Sequence, residues 1–115
     1  MAHNCLEAAE AVATEGISVE VIDLRTLQPL DRETILHSVE KTARAMVVHE
    51  DNLTGGFGGE VAAIIADQGF EYLDAPVTRV AGPDVPAMPF NHPQEEAFLP
   101  NPEKIAAAMR RLAAY

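Results

Sequence analysis

The residues of this chain best suited to chemistry lie in one stretch, 44–66, which reads RAMVVHEDNLTGGFGGEVAAIIA. An apolar run leads to His49, Glu50 and Asp51, and a glycine-rich turn then leads into a helix that begins at about Gly58. A histidine at the end of a strand is well placed for proton transfer. Glycines before a helix let backbone N–H groups approach an anion. The stretch therefore presents two candidate sites, one at the histidine and one at the turn.

The glycine turn, 55–59, favours packing over anion binding. No Gly-Lys-Ser/Thr follows it, so it is not a P-loop, and the glycine spacing of dinucleotide-binding turns is not met. Glu60 at the start of the helix and the net charge of −10 would both repel an anion. We expect the glycines to allow a tight turn and close helix packing, with anion binding as the alternative.

His49 is predicted to have a structural or interface role in preference to a catalytic one. Adjacent strand residues point to opposite faces of a sheet, so His49 and Glu50 need not meet. The remaining histidines, His3, His37 and His92, lack the spacing of a metal site. No serine stands in a nucleophile elbow, and the lysine of a phospho-receiver is missing after the last predicted strand. The residues therefore indicate no catalytic, cofactor-binding or metal-binding group.

The composition is acidic, with 18 Asp and Glu against 8 Lys and Arg. The resulting negative electrostatic potential repels the phosphate backbone of nucleic acid and an anionic membrane surface and attracts basic proteins. We therefore expect neither nucleic acid nor membrane as a partner.

The single cysteine, Cys5, excludes an intramolecular disulfide and is predicted to be a buried, inert thiol. With no secretory signal and no apolar run of about 18 residues, the expected location is cytoplasmic.

The elements that must position these residues alternate between helix and strand. Apolar periodicity and capping residues predict helices over 3–15, 31–42 and 58–72 and a last helix after Asn101, with strands at Val19–Leu24, Ala45–Val48 and Val77–Ala81. This order predicts one α/β domain, 1–115, with a mainly parallel sheet. The proline-rich segment 82–102 is predicted to cross the surface without helix or strand. Its apolar residues are expected to pack on the domain or on a partner: Val85, Met88, Phe90, Phe98 and Leu99.

Four segments together resemble a known family. They are VIDLRTLQPLD at 21–31, VVHEDNLTGGFGGE at 47–60, APVTRVAGPDVPAMPF at 75–90 and AFLPNPEKI at 97–105. In this order and spacing they resemble the C-terminal domain of the β subunit of thiamine-diphosphate-dependent 2-oxo acid dehydrogenases. These are the first components of the pyruvate, branched-chain 2-oxo acid and acetoin dehydrogenase complexes. The resemblance covers essentially the whole chain and implies the transketolase C-terminal fold, a three-layer α/β/α sandwich.

The resemblance also implies that the domain lacks its first strand. Members of the family have an apolar strand just before the position of Met1, in the middle of the sheet between the equivalents of 19–24 and 45–48, and a pyrimidine-binding domain upstream of it. Thiamine diphosphate and magnesium would be held in the parent assembly, between that domain and the α subunit, and not by this chain. The implied partners are the α subunit, a second β subunit of a heterotetramer and the binding domain of the lipoyl acyltransferase. The residues predicted for such interfaces are His49, Gly55, Gly56, Phe57, Phe98 and Tyr115.

The predicted function is therefore that of an assembly and docking domain, with no turnover by the chain alone. The alternative is a free-standing small α/β binding protein that uses the turn 55–59. A missing central strand leaves two neighbouring edges unpaired, so the isolated chain is expected to fold poorly. Direct pairing of the two flanking strands is the alternative that would rescue it. Pyruvate, branched-chain 2-oxo acids and acetoin all stay open as substrates.

Overall fold

The computed structural model of the protein describes residues 1–86 and 89–115. Five α-helices, one 3-10 turn and two strands lie within these ranges. In chain order they are α1 (Ala2–Ala13), α2 (Arg32–Thr42), β1 (Met46–Asn52), α3 (Gly58–Gln68), the 3-10 turn (Phe70–Tyr72), β2 (Thr78–Gly82), α4 (His92–Phe98) and α5 (Pro102–Ala113).

The two strands pair in parallel, with Met46 opposite Thr78 and Val48 opposite Val80. Alternate residues of a strand point to opposite faces, and both faces of this sheet are covered by helices. Met46, Val48 and Val80 contact one buried cluster, which comes from α1 and α5: Ala8, Val12, Ile105, Ala106 and Met109. Ala45 and Val47 contact another, which comes from α2 and α3: Ile35, Val39, Val61 and Ile65. The predicted α/β/α sandwich with a parallel sheet is thus confirmed.

The helices begin where the sequence places their caps. Asp31 accepts a hydrogen bond from the backbone N–H of Thr34 at 3.0 Å, and Asn101 accepts one from that of Lys104 at 2.9 Å. Each bond satisfies a donor that the first helical turn leaves free. Helix α3 ends at Gln68, four residues before the predicted end, and the chain continues into the 3-10 turn after Gly69.

The prediction of a strand at Val19–Leu24 is wrong. No backbone group of residues 18–24 hydrogen-bonds to another backbone group in the described part of the chain, so the segment is extended but unpaired. The apolar pattern predicted burial correctly, since Val19 packs against the α1–α5 cluster and Leu24 against the α2–α3 cluster. Burial does not by itself provide a neighbouring strand, and a strand exists only as part of a hydrogen-bonded ladder.

The proline-rich segment also contains a helix that was not predicted, α4. Asn91 caps it by accepting a hydrogen bond from the backbone N–H of Gln94 at 3.1 Å. Pro93 lies in the first turn, where its missing N–H costs no helical hydrogen bond, and no proline follows before Phe98. The prolines therefore delimit the helix and do not prevent it. Met88, for which the sequence predicts packing, lies outside the described residues.

Candidate functional site

The two candidate sites of the sequence, His49 and the glycine turn, form one packing unit at the carboxyl end of β1. A Cβ atom placed on Gly58 would lie 2.2 Å from Cδ2 and Nε2 of His49. One placed on Gly56 would lie 2.7 Å from Cε1 of His49 and 2.3 Å from the carbonyl oxygen of Asn52. These separations leave no room for a side chain, so close approach requires glycine at both positions. The turn closes over the imidazole, which supports the packing interpretation.

The imidazole of His49 is held there without a polar partner. Both ring nitrogens are buried, and neither has a hydrogen-bond partner among the described residues. The side chain of Glu50 is 56% exposed, and its carboxylate lies 3.9 Å from the N-terminal ammonium group of Met1. A histidine that acts as a general base is normally oriented by a second polar group. The described residues supply none, so the geometry gives the catalytic interpretation of His49 no support.

Three hydrogen bonds that involve side chains tie the start of the turn to β2 and the loop after it. Thr54 donates through its backbone N–H and its hydroxyl to the two carboxylate oxygens of Asp84, at 2.9 and 2.7 Å. Arg79 of β2 donates from Nη1 to the carbonyl oxygen of Leu53 at 2.9 Å. The turn is thus held by the neighbouring strand as well as by its own glycines.

The carboxylate of Asp84 makes the stability of this arrangement depend on pH. The hydrogen bonds from the backbone and hydroxyl of Thr54 hold the pKa of Asp84 below its usual range. A depressed pKa in the folded state adds stability above the unfolded value of about 3.9, and this stability is lost as the pH falls through the folded pKa. We expect Asp84→Asn to lower the urea midpoint at pH 7, and the difference from the unmodified chain to shrink below about pH 4. Asp67→Asn, at an exposed helix position, is the control. A midpoint difference that stays constant with pH would contradict the assignment.

A cavity of about 910 Å³, here called the slot, separates the extended segment 17–24 from β1. The segment runs in the same direction as β1. Glu20 pairs with Lys41, which precedes β1, and Leu27 lines a groove together with the turn that follows β1. Because the slot separates them, the segment 18–24 and β1 do not pair directly. Three buried nitrogen atoms that have no hydrogen-bond partner among the described residues belong to side chains that border the slot: Nε of Arg44 and both ring nitrogens of His49.

The other residues predicted for an interface differ in exposure. Gly55 is exposed with φ +79°, a conformation that favours glycine, and Phe57 is half-buried against the α2–α3 cluster. Phe98 is only 8% exposed, and its ring fills the space over Gly82, where a Cβ atom would lie 2.8 Å from Cζ. Tyr115 is 70% exposed after the end of α5. Tyr115 and Gly55 are thus open to a partner, whereas Gly56 and Phe98 are buried inside this domain.

The groove beside the turn has a volume of about 610 Å³ and is lined by one basic and one acidic side chain. Arg32 and Glu60 line it together with the glycines of the turn. An anion that approached the helix through this groove would meet the carboxylate as well as the guanidinium. The groove therefore offers weak support for the anion-binding alternative.

Metal-ligating side chains do not cluster in the described part of the chain. Within 1–86 and 89–115, no group of three or more His, Cys, Asp or Glu side chains is placed to hold a metal ion. Cys5 is half-buried, and burial raises the pKa of its thiol, which keeps it protonated at neutral pH. No helix in the described ranges is long and apolar enough to cross a membrane.

Two surface features escaped the sequence-based predictions. The ring of Phe70 is 76% exposed although it follows a core helix. Arg44 lies just before β1 with its Nε atom buried. The available sequence signals were the position of Phe70 beside a helix-ending glycine and the position of Arg44 beside an apolar run. Neither pattern by itself distinguishes a buried side chain from a solvated one.

Comparison with known proteins gives one consistent result. A family model described as "Transketolase, C-terminal domain" matches residues 1–105. The chain is 48% identical over 113 residues to the 2-oxoisovalerate dehydrogenase subunit beta of Bacillus subtilis (strain 168), a match that covers 98% of this chain and 35% of that subunit. It is 45% identical to the mitochondrial pyruvate dehydrogenase E1 component subunit beta of Dictyostelium discoideum, over 95% of this chain and 30% of that subunit.

A third relative, the acetoin:2,6-dichlorophenolindophenol oxidoreductase subunit beta of Bacillus subtilis (strain 168), is 40% identical over 96% of this chain and 32% of its own length. A solved structure described as "Split gene transketolase, inactive beta4 tetramer" matches with a TM-score of 0.82 and 26% identity. That match covers 98% of this chain and 36% of the other. The chain thus spans about a third of the length of the curated relatives it matches.

Proposed function

Because the chain belongs to the transketolase C-terminal domain family, as its four sequence segments predict, we propose that it is the assembly and docking domain of a 2-oxo acid dehydrogenase β subunit. The observation that carries this proposal is the 48% identity to a 2-oxoisovalerate dehydrogenase β subunit over 98% of the chain. The complete assembly would carry out thiamine-diphosphate-dependent oxidative decarboxylation of a 2-oxo acid, with acyl transfer to a lipoyl group. In that assembly this domain contributes contact surface.

The surface of the domain supports a role in contacts. The rings of Phe90 and Tyr115 are largely exposed, and aromatic side chains are enriched where proteins bind one another. The net charge of −10 suits a basic partner surface. These features support the proposed partners: the α subunit, a second β subunit and the binding domain of a lipoyl acyltransferase.

The proposal places thiamine diphosphate and magnesium elsewhere in the assembly, and we derive no catalytic step from the residues of this chain. Relatives named for 2-oxoisovalerate, pyruvate and acetoin match at 48%, 45% and 40% identity, so the proposed substrate class is that of 2-oxo acids and acetoin. The cytoplasmic location and the free-standing binding protein stay predictions. The groove beside the turn carries side chains of both charges, which gives the free-standing binding protein little support.

A hybrid subunit tests the proposal. Residues 1–115 replace the matching segment of the Bacillus subtilis 2-oxoisovalerate dehydrogenase β subunit, and the hybrid is produced together with its α subunit. We expect the hybrid to purify in an assembly of the same mass as the unmodified subunits, measured by gel filtration with light scattering. A hybrid β subunit that is folded by circular dichroism but elutes without the α subunit would overturn the proposal.

A matched pair of variants in the same hybrid tests the docking surface. Tyr115→Ala is expected to weaken binding of the lipoyl acyltransferase component by about tenfold, which is the effect of losing roughly 1.4 kcal/mol at an interface. Phe70→Ala removes an equally exposed ring and serves as the control. Titration by surface plasmon resonance gives both affinities. Equal affinities for the two variants would remove Tyr115 from the proposed interface.

A further inference from the structure

Helix α4 is attached to the rest of the domain by few contacts. It has seven residues, and Phe98 is the only one of them that is buried. Helices this short are marginal in water on their own, so their helical state depends on contacts with the rest of the protein. The bonds at the two ends of α4 therefore contribute a large share of what holds it in place.

Lys104 holds the carboxyl end of α4. Its Nζ atom donates to the backbone carbonyl oxygens of Ala97, at 2.6 Å, and of Leu99, at 3.0 Å. The last carbonyl groups of a helix have no partner within the helix, and a cation is favourable beside them. Lys104 lies in the first turn of α5, where its backbone N–H donates to the side chain of Asn101 at 2.9 Å. This arrangement of one amine and two carbonyl groups is here called the Lys104 clasp.

The Lys104 clasp depends on the charge and the donors of a single amine. No carboxylate in the described ranges forms an ion pair with Lys104, so its ammonium group serves the two carbonyl groups. An ammonium group has three N–H donors, whereas an acylated lysine has one donor and no charge. Acylation would therefore leave a single neutral donor for two acceptors.

Opening of the clasp would reach the sheet through Phe98. The residues whose carbonyl groups accept from Lys104 lie on either side of Phe98 in the chain. The ring of Phe98 fills the space over Gly82, the last residue of β2. Release of the two carbonyl groups thus frees the backbone that keeps this ring over the end of the strand.

The two lysines of the chain differ in their partners. Lys41 pairs with the carboxylate of Glu20, whereas Lys104 donates to backbone carbonyl groups. Both residues are exposed, so both amines are accessible to a reagent from solvent. Lys41 therefore serves as the internal comparison for any modification of Lys104.

We propose that Lys104 is an acylation site whose modification releases α4 from the domain, with an acyl thioester as the donor. In this step the unprotonated amine attacks the carbonyl carbon of the thioester and an amide C–N bond forms. The C–S bond breaks, and the sulfur leaves as a thiol with the proton of the amine, so that no oxidant or reductant is consumed. The inference is independent of the proposed function, because it depends on the contacts of Lys104 and not on which assembly the domain joins.

Hydrogen exchange after acetylation tests the proposal. The probe is acetyl-coenzyme A, incubated with the 115-residue chain at mildly alkaline pH, and peptide mass spectrometry locates the acetyl groups. The matched control is Lys104→Arg treated in the same way, which keeps Lys41 and the terminal amine but has no amine at position 104. The measurement is the rate of amide hydrogen exchange in α4, with the amides of α5 as the internal measure of an intact fold.

We expect acetylation of Lys104 to speed exchange in α4 by about tenfold, the effect of losing one hydrogen bond to a charged group, and to leave α5 unchanged. The treated Lys104→Arg chain should keep the slow exchange of α4. Unchanged exchange of α4 in chains that carry acetyl-Lys104 would overturn the proposal, as would equal acceleration in the treated Lys104→Arg chain. Acetylation of Lys41 with none at Lys104 would show that the clasp excludes the donor, and the assignment of the site would be wrong.

Discussion

Replacing Ile105 by alanine is expected to lower the free energy of unfolding by about 2–5 kcal/mol, the range for large-to-small changes at buried aliphatic positions. The side chain of Ile105 is 0% exposed and belongs to the cluster that joins α5 to α1 and to the sheet. Its removal takes apolar area away from the protein interior and leaves a cavity that the neighbouring helices fill only in part. Complete domains of this size are stable by about 5–15 kcal/mol, and the unpaired sheet edge is expected to place this chain at or below the low end of that range, so the loss is a large share of the total.

The control for this change is Phe70→Ala, which removes a larger side chain that is 76% exposed. Surface substitutions of this kind change stability by about 0.5 kcal/mol or less. Urea unfolding of both variants, followed by circular dichroism, gives the comparison. If Phe70→Ala were as damaging as Ile105→Ala, the assignment of the core to the α1–α5 contact would be wrong.

Replacing Gly56 by alanine is expected to destabilise the chain by about 1–3 kcal/mol, the cost of forcing extra atoms into a packed site. The new Cβ would lie 2.3 Å from the backbone carbonyl oxygen of Asn52, and a backbone atom of β1 cannot move without disturbing the strand. Gly59→Ala is the matched control three residues away, because its Cβ would meet only Nη1 of Arg79, at 3.4 Å. Since alanine is the better helix former by about 1 kcal/mol, Gly59→Ala should be neutral or stabilising.

A second comparison separates backbone contact from side-chain contact in the same turn. At Gly58 the nearest obstacle is the imidazole of His49, whereas at Gly56 it is the backbone of Asn52. We therefore expect His49→Ala to relieve the effect of Gly58→Ala and to leave most of the effect of Gly56→Ala. Urea midpoints of the single and double variants give two double-mutant cycles, one that pairs His49→Ala with Gly58→Ala and one that pairs it with Gly56→Ala. Equal relief in both would contradict the described packing of the turn over the ring.

Local interactions explain which predictions from the sequence were confirmed. Asp31 and Asn101 cap helices through bonds to residues three positions away, so the sequence alone places those starts. The helix α4 was missed although Asn91 makes the same kind of bond, because a segment so rich in proline is typical of irregular structure. Gly56 and Gly58 were expected to allow close packing, but the sequence did not say which side chain they approach.

The sequence by itself determined helices α1, α2, α3 and α5, the two paired strands, the apolar faces that form the two clusters and the family, because these depend on local spacing and on motifs of adjacent residues. Only the tertiary structure decided that residues 18–24 form no backbone hydrogen bond within the described chain and that a slot lies beside β1, because strand pairing depends on which segments become neighbours in space. It likewise decided that His49 is enclosed by the turn and that Phe98 is buried while Tyr115 is exposed. Each of these depends on contacts between elements distant in sequence, which periodicity and capping do not encode.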